Sequence, residues 1–358
     1  MKTIAIWAPL RYANYGDDMQ AIAVALLLKR NGYNVKLFQL DNSLAKSYNL
    51  NSVSTVEELC KDINLCIIAG GALLTPLNIA KRWLHPTYRE YEKDFRDLYQ
   101  ATLKYDIKFC AISIGGDGMI RNPILFYGNG RRKLFNSTSF LDGTVRLEGD
   151  VAQMKKAFGK SFTYFPDMLF HAKEFFPPQL LPPSTKYRVG FNFKKGHYID
   201  DSLLHAIYKY AANHNDMEFH FTTTHMQKTG LKYQYVPIEE SKNIYIDKYE
   251  SPCQLLGILS SMDCFMTSML HVGLTGITCG TPFLSYRGPG KTKTFLKSIG
   301  GEWAILPDNI SFEQLKTLFW NQKKESLYNK FDVSVLEKMK QDSMKHFDFC
   351  LNIAEKYA

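Results

Sequence analysis

Short apolar runs that end in glycine or polar turns and pass into helical segments recur along the whole chain. This alternation limits the fold more than any single motif does. "TIAIWAP" reads as a strand, "GDDMQAIAVALLLKRNGY" as an amphipathic helix closed by Gly32, and "NVKLFQL" as the next strand. "TVEELCKDIN" carries Thr55 as N-cap with Glu58 three residues on, a capping-box pattern ahead of the buried strand "LCIIAGG". A polar-aromatic helical region over about 86–105 leads to a further buried strand, "KFCAISIGGDG". Strands separated by helices are joined by crossovers rather than hairpins, so the pattern predicts parallel sheets with helices on both faces.

The rhythm occurs twice. "YRVGFNF", "MEFHFTTT" and "NIYIDKY" read as strands of a second set, with "DSLLHAIYKYAANHN" and "SPCQLLGILSSM" as helices. Between the two sets lies "PPQLLPPSTKY", with four prolines in eleven residues, which reads as a stiff extended linker. The expected organisation is an N-terminal α/β domain over 1–176, a Pro-rich linker over 177–187 and a C-terminal α/β domain over 188–330. A terminal amphipathic helix over 331–358 either closes the second domain or crosses back to the first. A chain of 358 residues fits two cores better than one. The fold class expected is α/β, two Rossmann-like domains facing a central cleft.

Composition narrows the function. The net charge of +9 favours anionic partners, but the basic residues are spread along the chain and form no block interleaved with aromatics, so no nucleic-acid partner is expected. The seven cysteines form no CxxC pair and have mostly apolar neighbours, which argues for core thiols and against a metal site. "MKTIAIWAP" lacks the long apolar core of a signal peptide, and the expected location is the cytoplasm.

The chemistry concentrates near "SMLHVGLTGITCGTPFLSY". "DCFMTS" reads as a strand, a helix follows, "TPFLSY" is the next strand, and "RGPG" turns the chain into the helix "KTKTFLKSIG". Ser268 and His271 then stand at one helix start, and Arg287 and Lys291 at another, on the carboxyl edge where parallel sheets bind ligands. Helix N-termini favour anions. His271 reads equally well as a buried histidine holding a loop. In the first half three strands end in glycine-rich or polar turns, "APLRYANYGDD", "AGGALLTP" and "SIGGDGMIRNP", with Gly70, Gly71, Gly115 and Gly116 as candidate cleft walls.

"NYGDDMQAIAVALLLKRNGYNV", "LCIIAGGALL", "AISIGG", "VRLEGDVAQMKKAFG" followed by "FPDMLF", and "TSMLHVGLTGITCGTPFLSYRGPGKTKTFLKSIG" stand in the order and spacing of bacterial polysaccharide pyruvyltransferases, and from about Asn14 to Gly300 the chain resembles that family. The resemblance implies a fold like that of GT-B glycosyltransferases. It also implies transfer of a pyruvyl group from phosphoenolpyruvate to two hydroxyls of a sugar, forming a cyclic ketal. His271 matches the family histidine and is the expected catalytic acid or base. Arg146, Lys291, Arg287 and Ser268 are the expected donor-binding residues. Asn14, Gly16 and Asp17 match the family's N-x-G-D turn and, with Gly70, Gly71 and Asp117, are the expected acceptor-binding residues. Arg146 lies partway into a helix-like segment, where a surface salt bridge is the alternative reading; for Asp17 the alternative is a dipole-stabilising cap.

The chain departs from the family pattern at one position. Met269 stands where the family has an arginine two residues before the histidine, and Arg287, in a turn about two residues longer than in relatives, is the candidate replacement charge. The implied partners are phosphoenolpyruvate, as substrate, and a glycan or polyprenyl-linked saccharide, with peripheral contact at the cytoplasmic membrane face. Neither cofactor nor metal is expected. A glycosyltransferase using a nucleotide sugar, or a glycan-binding protein without activity, are the other readings of the same architecture.

Overall fold

A computed structural model describes residues 2–75, 84, 86–116, 118–120, 122–193, 201–226, 240–319 and 322–358. The chain divides into two compact units. Unit 1 comprises Met1–Ala13, Asp17–Met168 and Met339–Ala358, and unit 2 comprises Asn14–Gly16 and Leu169–Lys338. Both are α/β, each built on one fully parallel sheet.

In unit 1 the strands are β1 (Thr3–Trp7), β2 (Asn34–Phe38), β3 (Asn51–Val53), β4 (Leu65–Ala69), β5 (Lys108–Ile114), β6 (Phe140–Val145) and β7 (Thr163–Tyr164), in the order β3-β2-β1-β4-β5-β6-β7. The order reverses between β1 and β4, the crevice position of a doubly wound sheet. Every residue of β4 is buried, as the continuous run "LCIIA" requires of a strand covered on both faces. Thr55 and Glu58 make the expected capping box at the helix Val56–Cys60. The helix Tyr15–Arg30 ends before Gly32, whose φ of 84° a side chain would resist. Trp7, Phe95, Phe109, Phe135, Phe140, Phe158 and Phe162 dominate the core, each side chain worth roughly 1.5–3 kcal/mol of burial. Arg131 is 1% exposed within it; its guanidinium pairs with Glu92 at 2.5 Å, donates to the Leu73 carbonyl at 2.7 Å and faces the rings of Tyr91, Phe95 and Tyr127.

In unit 2 the strands are β8 (Tyr187–Asn192), β9 (Met217–Thr222), β10 (Ile244–Asp247), β11 (Cys264–Thr267) and β12 (Phe283–Ser285), in the order β10-β9-β8-β11-β12. Here the reversal falls between β8 and β11. Ser251 caps the helix Pro252–Ser261 by accepting from the Gln254 amide.

Three features correct the sequence reading. The units change at Met168/Leu169, ahead of the prolines, and "PPQLLPPSTKY" is packed into unit 2 rather than spanning between domains. The Gln179 amide donates to the Cys253 carbonyl, the Leu181 amide to Ser261, and the Gln179 backbone lies against Gly257 so closely that a Cβ there would be 1.8 Å from its oxygen. The C-terminal segment is two helices rather than one, Val333–Ser343 and Lys345–Tyr357; of its two expected placements it takes the one that crosses back, Met339–Ala358 belonging to unit 1, where the last helix packs on β5. Strands β3, β6 and β7 carry too little apolar pattern to be read: "FLDGTV" holds an aspartate and a glycine, and β7 has two residues. Among the described residues no helix is long and apolar enough to cross a membrane.

Candidate active site

β11 and β12 run in parallel register with Thr267 beside Ser285, so both end level and the helix after each starts from the same sheet edge. At the end of β11 the Ser268 amide donates to Asn192 on β8 at 3.1 Å, and Thr267 Oγ1 accepts from the Met269 amide at 2.9 Å. These bonds fix the turn into the helix Leu270–Thr278, which has no side-chain cap at Met269. His271 is the second residue of that helix and is half-buried.

Its ring rests on a bare backbone. A Cβ added to Gly16 would lie 1.7 Å from His271 Nδ1, so only glycine lets the imidazole sit there. The start of the helix Tyr15–Arg30, which bears Gly16, is fastened on both sides. Asn14 Oδ1 accepts from the Gly16 amide at 3.0 Å, and Asn14 Nδ2 is 2.9 Å from His225 Nε2. The Tyr15 amide donates to the Thr224 carbonyl, and the Tyr15 hydroxyl is 2.9 Å from Thr275 Oγ1, which itself donates to the His271 carbonyl at 2.7 Å. Tyr15, Thr275 and His225 thus position the histidine. None was singled out in sequence reasoning, although Tyr15 stands inside the N-x-G-D pattern and offered a signal.

After β12 the chain turns through Tyr286–Pro289 into the helix Gly290–Ser298, with Lys291 second in the helix and half-buried. Arg287 takes a left-handed φ of 49°; its guanidinium lies 5.0 Å over the Tyr286 ring and donates from Nη2 to the Asp308 carbonyl at 3.0 Å. The Tyr286 hydroxyl donates to the same carbonyl at 3.2 Å. Arg287 is therefore anchored beside its own turn.

The remaining candidates lie in unit 1. Arg146 sits at the end of β6, two residues before the helix Glu148–Phe158, rather than inside a helix, and at 5% exposure it makes no surface salt bridge. It pairs with Asp167 at 3.3 Å and donates to Gln20 Oε1 at 2.9 Å; Gln20 Oε1 also accepts from the Gly71 amide and Gln20 Nε2 donates to Asp167. The glycines expected as ligand walls serve this packing. A Cβ at Gly70 would meet Gln20 at 2.2 Å, and one at Gly115 would meet Arg146 at 2.6 Å. The Gly116 amide donates to the buried Asp150 carboxylate at 2.7 Å and the Gly118 amide at 3.0 Å. Asp17 is in the first turn of the helix Tyr15–Arg30, where a carboxylate complements the dipole. Asp117 lies outside the described residues.

The structure therefore gathers Asn14, Gly16, Ser268, His271, Arg287 and Lys291 in unit 2, and Asp17, Gly70, Gly71 and Arg146 in unit 1. Arg146 lies in the other unit from His271, as the expected N-terminal domain over 1–176 already placed it, whereas Asn14 and Gly16, expected in that N-terminal domain, belong to the same unit as His271. Sequence reasoning passed over Gln20 and Asp167, the second of which stands in the quoted "FPDMLF".

No curated protein matches the chain. The S. aureus MnaA–UDP co-structure matches with a TM-score of 0.62 at 9% identity, over 99% of this chain and 96% of that one. UDP-GlcNAc 2-epimerase from Neisseria meningitidis, bound to UDP-GlcNAc, matches at 0.54 and 8% identity over 96% and 100%. The glycosyltransferase SnogD from Streptomyces nogalater matches at 0.50 and 12% over 99% of each chain. At such identities the likeness is one of fold, and it agrees with two Rossmann-like units of the GT-B class. The polysaccharide pyruvyl transferase family model matches residues 14–287, the span that carries both the Asn14–Gly16 segment and the His271 helix, and the chain belongs to that family.

Proposed function

We propose that this chain transfers the pyruvyl group of phosphoenolpyruvate to two hydroxyls of one sugar in a polysaccharide or its lipid-linked precursor. The observation that carries the reading is the seating of His271: second residue of a helix at the topological switch of the unit 2 sheet, its ring held on the Gly16 backbone, in a chain matched by the family model. The chemistry needs a proton placed on the enol methylene carbon and one taken from a sugar hydroxyl as its oxygen bonds to C2. The C2–O bond to phosphate then breaks, and the second hydroxyl closes the ketal while its proton leaves with phosphate. His271 is the acid and base of this reading. Lys291 at the neighbouring helix start supplies positive charge for the donor, with the helix N-termini. A lipid-linked acceptor would draw the chain to the cytoplasmic membrane face, a placement its net charge of +9 favours.

The test is phosphate release from phosphoenolpyruvate in the presence of candidate sugar acceptors, with His271→Ala as the comparison. Turnover lost in His271→Ala without a change in the thermal melt supports the reading. Met269 at the family's arginine position, and the UDP and UDP-GlcNAc bound in the matched MnaA and UDP-GlcNAc 2-epimerase structures, favour a second reading as a glycosyltransferase. Thermal protection by UDP with none by phosphoenolpyruvate would select it.

A further inference from the structure

The segment from Ser285 to Thr292, "SYRGPGKT", runs from strand through turn to helix and starts its helix with Gly-Lys-Thr, as phosphate-cradling loops do, with serine where such loops open on glycine. The pattern alone is weak. Two side chains give it content. Ser285 Oγ and Thr292 Oγ1 belong to residues 1% and 0% exposed, and neither has a hydrogen-bond partner among the described residues. Both residues close on Gly288: a Cβ there would lie 2.3 Å from Ser285 Oγ and 3.4 Å from Thr292 Cβ. The serine hydroxyl is therefore aimed into the hollow of the turn from the strand side, and threonine borders the same hollow from the first turn of the helix.

Buried hydroxyls without partners are costly, and proteins keep few of them. A phosphoryl group has acceptor oxygens for both, and the nine-residue helix Gly290–Ser298 presents its first amides and positive dipole end at the same place. Lys291 adds a cation one residue into that helix. Met269 brings no charge to the start of the His271 helix, so the longer turn after β12 is where this chain gathers donors for an anion.

We propose that the Ser285–Thr292 turn binds the phosphoryl group of the donor, with the hydroxyls of Ser285 and Thr292 donating to its oxygens and glycine at 288 leaving the space in which they meet. Naming the donor phosphoenolpyruvate rests on the function proposed above; the phosphoryl class rests on the turn.

The experiment is calorimetric titration of the full chain with inorganic phosphate, then with phosphoenolpyruvate and UDP as competitors. Parent, Thr292→Val, Ser285→Ala and Ser298→Ala are compared, the last at the far end of the same helix, where its hydroxyl donates to the Phe295 carbonyl. Phosphate should bind parent and Ser298→Ala alike and bind each hydroxyl variant roughly tenfold or more weakly, since bonds to a charged acceptor are among the stronger ones. Both hydroxyl variants should melt at or above the parent temperature. Equal phosphate affinity in all four proteins, or no saturable binding to the parent, overturns the proposal. Displacement by UDP and not by phosphoenolpyruvate keeps the phosphoryl site and sinks the pyruvyl reading. Pyruvyl transfer with an unchanged KM for phosphoenolpyruvate in both variants keeps that reading and sinks the site.

Discussion

Replacing Gly16 by alanine adds one methyl group where the His271 ring lies. The added carbon would stand 1.7 Å from Nδ1, 2.6 Å from Cγ and 2.7 Å from Cε1. Ordinary contact is about 3.5 Å, so the ring must retreat by roughly 2 Å or leave its rotamer. The backbone is no obstacle, because Gly16 is not among the residues with positive φ. Overpacking of this kind costs about 1–3 kcal/mol, while alanine in the first helical turn returns about 0.5–1 kcal/mol. The expected net loss is therefore about 0–2.5 kcal/mol, a drop of several degrees at most in Tm for a chain of this size. The effect on turnover should be far larger, since a 1 Å misplacement of a reacting group can cost about 100-fold. The assay is phosphate release alongside differential scanning calorimetry, with Gly276→Ala as the comparison. Gly276 lies in the same helix as His271, and among the described residues outside its own helix backbone a Cβ there meets only the Thr281 carbonyl, at an ordinary 3.6 Å. That variant should keep its activity and gain up to about 1 kcal/mol. Parent-like turnover in Gly16→Ala would refute the seating of the histidine as the basis of its role.

Arg146→Ala should lower stability by about 3–5 kcal/mol, because it removes the buried cation facing Asp167; an unchanged urea midpoint would refute its structural role. Burial holds the His346 imidazole down to about 4, below its usual 6.5. The unfolded chain therefore takes up the proton first as pH falls, and stability should decline between about pH 6.5 and 4 by roughly 1.4 kcal/mol per pH unit. Comparing melting temperatures of parent and His346→Gln across that window isolates the contribution, and identical slopes would exclude it. Gly257→Ala should destabilise by about 1–3 kcal/mol through its clash with the Gln179 backbone. A neutral result in chemical denaturation would mean that the proline-rich segment is not docked as described.

The alternation of apolar runs and helices was enough to read nine of the strands, because buried parallel strands leave nearly unbroken hydrophobic stretches such as "LCIIA". Strand β6 escaped notice because Asp142 and Gly143 interrupt its pattern, and its place in the sheet comes from pairing with β5, which no local window contains. Arg146 was misplaced for the same reason: once β6 is missed, its end is taken for part of the following helix. The proline cluster was legible as extended chain, but whether extended chain is free or docked depends on what lies beside it. Glycine at 257 was the partner, 78 positions further along than Gln179 (257 − 179). Glycines 70, 71 and 115 illustrate a related ambiguity. A ligand was the expected approaching group, whereas the groups that lie against these glycines are the side chains of Gln20, Arg146 and Leu73 and the ring of Pro9. His271 was placed correctly at a helix start by local pattern, whereas its contact with Gly16 is non-local and had no trace in either segment alone.

Unit 2 is not a continuous piece of the gene product. Its bulk, Leu169–Lys338, is completed by Asn14–Gly16 from near the other end of the chain. A fragment beginning at 169 would carry His271, Lys291 and the turn between them, yet the surface on which the imidazole rests would be missing. Measurements on such a fragment would misreport the histidine. Deletion or tagging that disturbs the first sixteen residues reaches the candidate catalytic group as directly as a substitution beside it.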